Sequence, residues 1–556
     1  MKWLEDLIYD INGSSFKRLM VIVLTFVALV LSILMFPTQM VKARMLPGKS
    51  TNTYSIYVDA PTGGSINQTR KVTDCIFEIL KKEEEVVNAE VFLGQGAPLD
   101  YAGLVKGSTL KQGENVAEIV INLTDKHERD EPSFLMVQRL RPVINKNCKF
   151  SKDVSIKMIE QPAGPPTMAS IVVEVYGAND KSIRAMSDKV AVILKETEGL
   201  VDVDVMQDEI FSKYELIADP EKISRSAVSL EQLNNILYLA FEGMGIAVKN
   251  SQNSPDQIPI FLVLSEETKK LEDFSKEALE AKLSSLRLMN QKGMMVPVNE
   301  LVTVKEVKNA PAIFSKDLKK MANVLAETDM VSQLYPLLEA REKMIEVFSA
   351  DYEVSKISGM STYMFDLNLK DKKTGEKFLL RWDGEMKVSL DTFRDLGGAF
   401  IAALILIFLL LVIYYKSFAI SGIILGGSFL SIVGVIIGHW VANWFTSETF
   451  FLTATSLIGF IALMGISSRN SLLLIDFAKS LMADKGMEKR KAIAVATATR
   501  AIPILLTAVA IILGSALLAT DPIFGGLGVA LISGTVAAVA VSLIFVPVLM
   551  YNTKAI

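Results

Sequence analysis

The chain has 556 residues, 50% of them hydrophobic, a net charge of −4 and a mean hydropathy of +0.35. That balance, with no polybasic tail, excludes a nucleic-acid partner and describes an integral membrane protein with a large polar part. The two histidines, His127 and His439, and the two cysteines, Cys75 and Cys148, form no CxxC or zinc pattern, so no histidine catalysis, resident metal or cofactor is expected.

Residues 1–18 place Trp3, Leu4, Leu7, Ile8 and Ile11 at near-helical spacing. This suits a short amphipathic helix on a membrane surface, with a frayed terminus as the alternative. The apolar segment 19–36 follows Lys17 and Arg18. No small-residue cleavage site comes after it, and Pro37, Lys42 and Arg44 come instead, so it reads as an uncleaved first span.

From 37 to 393 no segment is long enough to cross a bilayer. Thr53–Asp59 alternates as a strand, Ile66–Lys81 has helical spacing, and Val86–Leu93 and Asn115–Leu123 return to strands. Ser133–Ile144 reads as a helix and Val154–Ile159 as a strand, completing βαββαβ over 37–160. The order starts again after the Pro-rich linker QPAGPP (161–166). Ala169–Tyr176, the helix Lys181–Thr197, Val201–Met206, Tyr214–Ile217, the helix Leu230–Phe241 and Ile258–Leu264 are the expected second copy, a sign of duplication. Beyond Asp273 the pattern weakens to a mixed α/β region, and the block 161–393 is expected to be the second module with a docking-type insertion. Cys75 and Cys148 fall on or just after the two helices of the first module, so a disulfide is one reading and free thiols the other.

Five further apolar runs follow in 394–556: Leu396–Ile413, Ile420–Val441, Phe450–Ile475, Ile502–Leu518 and Phe524–Tyr551. The expected fold is therefore an α-helical membrane bundle of about six spans plus a large external α/β region with tandem ferredoxin-like βαββαβ modules. Lys479, Lys485, Lys489, Arg490 and Lys491 lie between the fourth and fifth spans, and Lys416 between the second and third. The opposite loops carry acids as their only charges, so both termini are expected in the cytoplasm and the large block outside, in the periplasm of a Gram-negative cell.

The fourth run contains Arg469, a permanent cation within apolar sequence. Insertion scales put the cost of such a charge at roughly 2.5–3.5 kcal/mol at a helix centre. An acid should sit near it, and no other apolar run of the chain supplies one at comparable depth. Asp476 lies seven residues away, about 10 Å along a helix. A structural arginine that snorkels or bonds carbonyls is the bland reading. Gly48-Lys49-Ser50-Thr51 ends like a phosphate loop, but Ala43 stands where the first glycine belongs and a membrane anchor precedes it, which excludes nucleotide hydrolysis here. His439, beside Trp440 and Trp444, reads as an interfacial anchor. Met289, Met294, Met295, Met360 and Met364 raise soft-metal export, though they lack close repeated spacing.

The stretch GISSRNSLLLIDFAKSLMADKG…TRAIPILLTAVAIILG (465–514) resembles the fourth span, cytoplasmic loop and fifth span in the C-terminal half of resistance-nodulation-division (RND) efflux permeases. RWDGEMKVSLDTFRD before the second span, YYKSF (414–418), RMLPGKS (44–50) and KHERDEPS with QPAGPP support the likeness. The resemblance implies that Arg469 takes the place of the basic relay residue, usually lysine in multidrug members. It implies that Thr507 matches the relay threonine and Arg500 an arginine at that span's cytoplasmic mouth. The paired relay aspartates belong to the family's other half and are not found here. The expected protein is thus a half-subunit of a proton-driven antiporter in the inner membrane. Its expected partners are an N-terminal-half permease chain, a periplasmic adaptor and an outer-membrane channel, in a trimeric assembly. A SecD/SecF-like export subunit, a heavy-metal efflux half and a non-transporting scaffold are the alternatives.

Overall fold

The structure, a computed structural model, describes every residue except 49, 99–100, 152, 162–163, 165, 253–256, 272, 274, 330–331, 358–362 and 447–448. Lys49 of the excluded phosphate loop, part of QPAGPP, and Met360 lie outside the described residues. The chain divides into two units, 1–206 with 313–556, and 207–312.

The first unit begins with α1 (Lys2–Gly13) and α2 (Ser15–Leu34), separated by Ser14, whose side chain caps α2. The first module follows: β1 (Thr53–Asp59), α3 (Ile66–Leu80), β2 (Val86–Gln95), α4 (Tyr101–Lys106), β3 (Gln112–Leu123), α5 (Ser133–Cys148) and β4 (Ser155–Glu160). Its antiparallel sheet runs β2-β3-β1-β4. Alternation along β1 and β3 sends Ile56, Val58, Ile119 and Ile121 to one face, where Ile76 and Leu80 of α3 and Met136, Leu140 and Ile144 of α5 cover them.

The second module starts with β5 (Ile171–Tyr176), α6 (Asp180–Lys195, capped by Asn179) and β6 (Leu200–Met206). The chain then leaves for the second unit, which has its own core of Ile223, Leu233, Leu283, Val298 and Leu301. That unit holds β7 (Ser212–Ala218), α7 (Pro220–Arg225), α8 (Leu230–Phe241), β8 (Met244–Lys249), β9 (Ile258–Leu262), α9 (Glu266–Lys269) and α10 (Lys276–Ser285). It ends with β10 (Arg287–Met289), β11 (Met295–Pro297) and β12 (Val302–Lys308). The strands expected to complete the second copy lie here instead. Tyr214–Ile217 lies in β7 and pairs with β12, and Ile258–Leu262 pairs with β8, so neither joins the sheet of β5.

That sheet is completed after the chain returns, by β13 (Ser315–Lys316), β14 (Lys319–Thr328), α11 (Leu334–Phe348), β15 (Tyr352–Lys356), β16 (Leu367–Asp371) and β17 (Lys377–Asp383). Its order is β14-β5-β17-β16-β15, with β6 and β13 on the outer edge of β14. Reading strands in chain order assumes short connections. A folded insertion between β6 and β14 breaks that assumption. The helix over the far half of this sheet is therefore α11, which buries Leu337, Met344 and Phe348 against Val324, Leu380 and Trp382.

The membrane-capable helices are six among the described residues. They are α2, then α12 (Glu385–Tyr415), α13 with α14 (Phe418–Phe429, Ile432–Ala442), α15 (Ala454–Lys485), α16 (Lys489–Ala519) and α17 with α18 (Gly525–Ala540, Val546–Asn552). Gly384 turns β17 into α12 at φ +85°, where a Cβ would stand 2.6 Å from the Ala169 carbonyl, so only glycine fits. Gly526 lets α17 approach α15 so closely that a Cβ would lie 2.3 Å from Ser456 Oγ. Leu4 and Ile8 of α1 are buried in the same cluster as Ile475, Ile493 and Met550, while Trp3 and Leu7 face outward.

Candidate functional site

Helix α15 starts at a capping box formed by Thr453 and Ser456 and ends at Gly486, in the left-handed conformation. One of its faces, carrying Leu463, Ser467, Leu474 and Ala478, is buried in the bundle. The opposite stripe, Ile458, Ala462, Gly465, Arg469 and Leu473, recurs at three- and four-residue spacing and is exposed. Arg469 stands on that exposed stripe. It has no hydrogen bond or ion pair among the described residues.

The other expected site residues are held by local contacts. Thr507 Oγ1 donates to the Ile504 carbonyl at 2.9 Å, the ordinary helix-backbone bond of a half-buried hydroxyl. Arg500 is half-buried on α16, its guanidinium 4.9 Å from the Phe477 ring centre, with an enclosed and unpartnered Nε. Among the described residues no hydrogen bond or ion pair joins Arg469, Arg500 and Thr507. Asp476 accepts from Tyr415 Oη at 2.7 Å, tying α15 to α12 near Lys479. His439, read from sequence as an interfacial anchor, is instead fully buried: Nδ1 donates to the Val435 carbonyl at 2.7 Å, and Ser456 Oγ donates to Nε2 at 2.8 Å.

A second constellation was not legible in the sequence. Where the two modules meet, cations of the first reach carboxylates of the second. Lys157 on β4 lies between Asp59 (3.0 Å) and Asp204. Arg141 on α5 reaches Asp202 (3.3 Å) and Asp329 (3.0 Å), and Lys106 on α4 reaches Glu327 (2.7 Å). Burial pushes the Asp59 and Glu327 carboxyls up. Lys157 and Lys111 outweigh it at Asp59, and Lys106 and Ser170 at Glu327, so both sit below the usual carboxylate range. At Asp202 burial wins and the carboxyl is raised.

Cys75 on α3 and Cys148 at the end of α5 form a disulfide, with their Cα atoms 5.6 Å apart. In the second unit, Met289 and Met295 face each other across the β10–β11 ladder with Met294 beside them, all three exposed. Among the described residues no group of three His, Cys, Asp or Glu side chains could hold a metal ion.

Six membrane-capable helices, the first separated from the other five by a large sheet-containing region, describe a multi-pass membrane protein, with Arg469 on the fourth left without an ion pair among the described residues. A family model described as the AcrB/AcrD/AcrF family matches residues 11–355 and 350–554, and the chain belongs to that family of RND permeases. It is 24% identical over 520 residues to the swarming motility protein SwrC of Bacillus subtilis (strain 168), covering 92% of this chain and 44% of that protein. It is 22% identical over 553 residues to the multidrug export protein AcrF of Escherichia coli (strain K12), covering 97% and 48%. The chain thus spans about half the length of these relatives. Two crystal forms of a heavy metal efflux pump share its fold, with TM-scores of 0.69 and 0.70 at 17% and 16% identity, covering 98% and 99% of this chain and 52% of the pump.

Proposed function

We propose that the chain is the C-terminal-half subunit of a proton-driven RND efflux permease that exports small amphiphilic compounds, with a separate chain supplying the N-terminal half and the relay aspartates. The observation that carries this reading is Arg469, unpartnered on an exposed apolar stripe of α15. A cation that cannot shed its proton stays in such a place only beside an anion, and the described chain offers none there. Held near two carboxylates, Arg469 favours their ionised form, and proton uptake by the acids releases it. The proton rides on the acids. Thr507 and Arg500 complete the relay, Arg500 at its cytoplasmic mouth.

In this reading both termini lie in the cytoplasm of the inner membrane and the two modules are tandem ferredoxin-like halves of a substrate cleft in the periplasm. Three such pairs form a trimer joined to a periplasmic adaptor and an outer-membrane channel. The multidrug export name of one relative supports the substrate class. The test is export by the chain expressed with its partner half. Arg469→Lys retains transport and Arg469→Gln abolishes it. Full activity of Arg469→Gln would point to another energy source or to a scaffold, and a purified pump made only of this chain would refute the pairing.

A second reading, soft-metal export, is favoured by the facing Met289 and Met295. Thioethers bind monovalent soft cations. Silver binding lost in Met289→Ile with Met295→Ile would support it.

A further inference from the structure

At the membrane end of the module seam is a cavity lined by Arg44, Lys106, Arg141, Glu160, Glu327 and Glu385, among others. Four segments converge there: the chain leaving α2, the end of β4, the end of β14 and the start of α12. The hydrogen-bonding capacity around it is not spent. Glu160 Oε1, Arg44 Nε and Nη1, and Thr328 Oγ1 are enclosed and unpartnered among the described residues. Lys106, Arg141 and Glu327 are committed to the ion pairs of the seam, which leaves Arg44 near both Glu160 and Glu385 with an ion pair to neither among the described residues.

Arg44 belongs to a strap fastened to the start of α15. Its amide donates to the Leu452 carbonyl at 3.1 Å, Leu452 N donates to Lys42 O at 2.9 Å, and Ala454 N donates to Met45 O at 3.1 Å. Ala43 and Leu452 form a parallel bridge. Whatever holds or frees Arg44 therefore acts on the first turn of the helix that carries Arg469.

We propose that Glu160 is a proton-binding site outside the membrane that acts as a latch on this strap: ionised, it holds Arg44; protonated, it releases Arg44 and loosens the strap from α15. The charged neighbours pull both ways. Arg141 on α5 and Arg44 on the strap favour the ionised carboxylate, while Glu327 and Asp329 at the end of β14 oppose it. Tyr54, its register partner on β1, contributes an enclosed hydroxyl, and Lys106 and Glu385 complete the rim. Burial adds the largest push and brings the Glu160 carboxyl up to about 7, within reach of ordinary changes in external pH. The latch rests on the cavity and the strap, and stands whether or not the chain pairs with a second half.

Infrared titration of the full chain in lipid tests it. A protonated-carboxyl C=O band should titrate with a midpoint near 7 and be absent from Glu160→Gln. Arg44→Gln, which removes a charge favouring the ionised form, should move that midpoint upward by about half a unit or more. Amide exchange at Leu452 and Ala454, corrected for its intrinsic pH dependence, should quicken several-fold below the midpoint in the natural chain and lose that step in Glu160→Gln. A band that survives Glu160→Gln would overturn the site. An unmoved or lowered midpoint in Arg44→Gln would overturn the pairing, and that arm does not depend on the Glu160 variant folding. Exchange at the two amides that ignores the titration would overturn the latch.

Discussion

The module seam and the helix bundle treat buried charge in opposite ways. In the seam, Lys106, Lys157 and Arg141 each find one or two carboxylates within the chain. In the bundle, Arg469 finds none among the described residues and faces outward from an apolar stripe. Leaving a charge without partners in low dielectric costs several kcal/mol. In the bundle Arg469 and Arg500 both lack an ion pair among the described residues, and under the proposed function the acid that answers Arg469 comes from another chain. Arg44, without an ion pair among the described residues, lines the same cavity as Glu160, whose Oε1 is unspent.

The comparison can be tested by size of effect. The largest belongs to the first module, where replacing Cys75 and Cys148 together by serine should lower stability by about 4 kcal/mol in the chain-entropy model, read from the melting temperature. Next is Lys157→Met, which leaves Asp204 without its cation and Asp59 with Lys111 alone, and should cost about 3 kcal/mol in chemical unfolding. A loss below about 0.5 kcal/mol would mean the seam is not held by its charges, and the contrast would fail. The pH dependence follows from the same acids. Asp59 and Glu327 have folded-state pKa values below their ordinary 3.8 and 4.5, so the stability they add is complete above those values and is lost as pH falls through the lower, folded ones. Melting temperature should drop on strong acidification, and Lys157→Met should flatten the part due to Asp59. The smallest effect is the most telling. Arg469→Leu in the purified single chain should change stability by no more than about 0.5 kcal/mol, because there is no internal partner to lose.

How much of this was visible in the residues depended on distance along the chain. The spans announce themselves by continuous hydropathy, and the elements of the first module by local periodicity, because β1 to β4 follow one another without interruption. The second module hides its own completion: β14 and β17 flank β5, yet they lie beyond a folded insertion, and β7 and β9 imitate the missing strands in the right order. Arg469 was legible because a charge in apolar sequence is a local anomaly. Lys157, Asp204 and the Arg44–Glu160 cavity were not. Ordinary charges in polar sequence become special only when four separated segments bring them together.

The direct measurement is the structure of the assembled permease in lipid, read at one side chain. The account predicts a carboxylate from outside these 556 residues within about 4 Å of the Arg469 guanidinium. A guanidinium open to water, or one with no foreign carboxylate in reach, would contradict it.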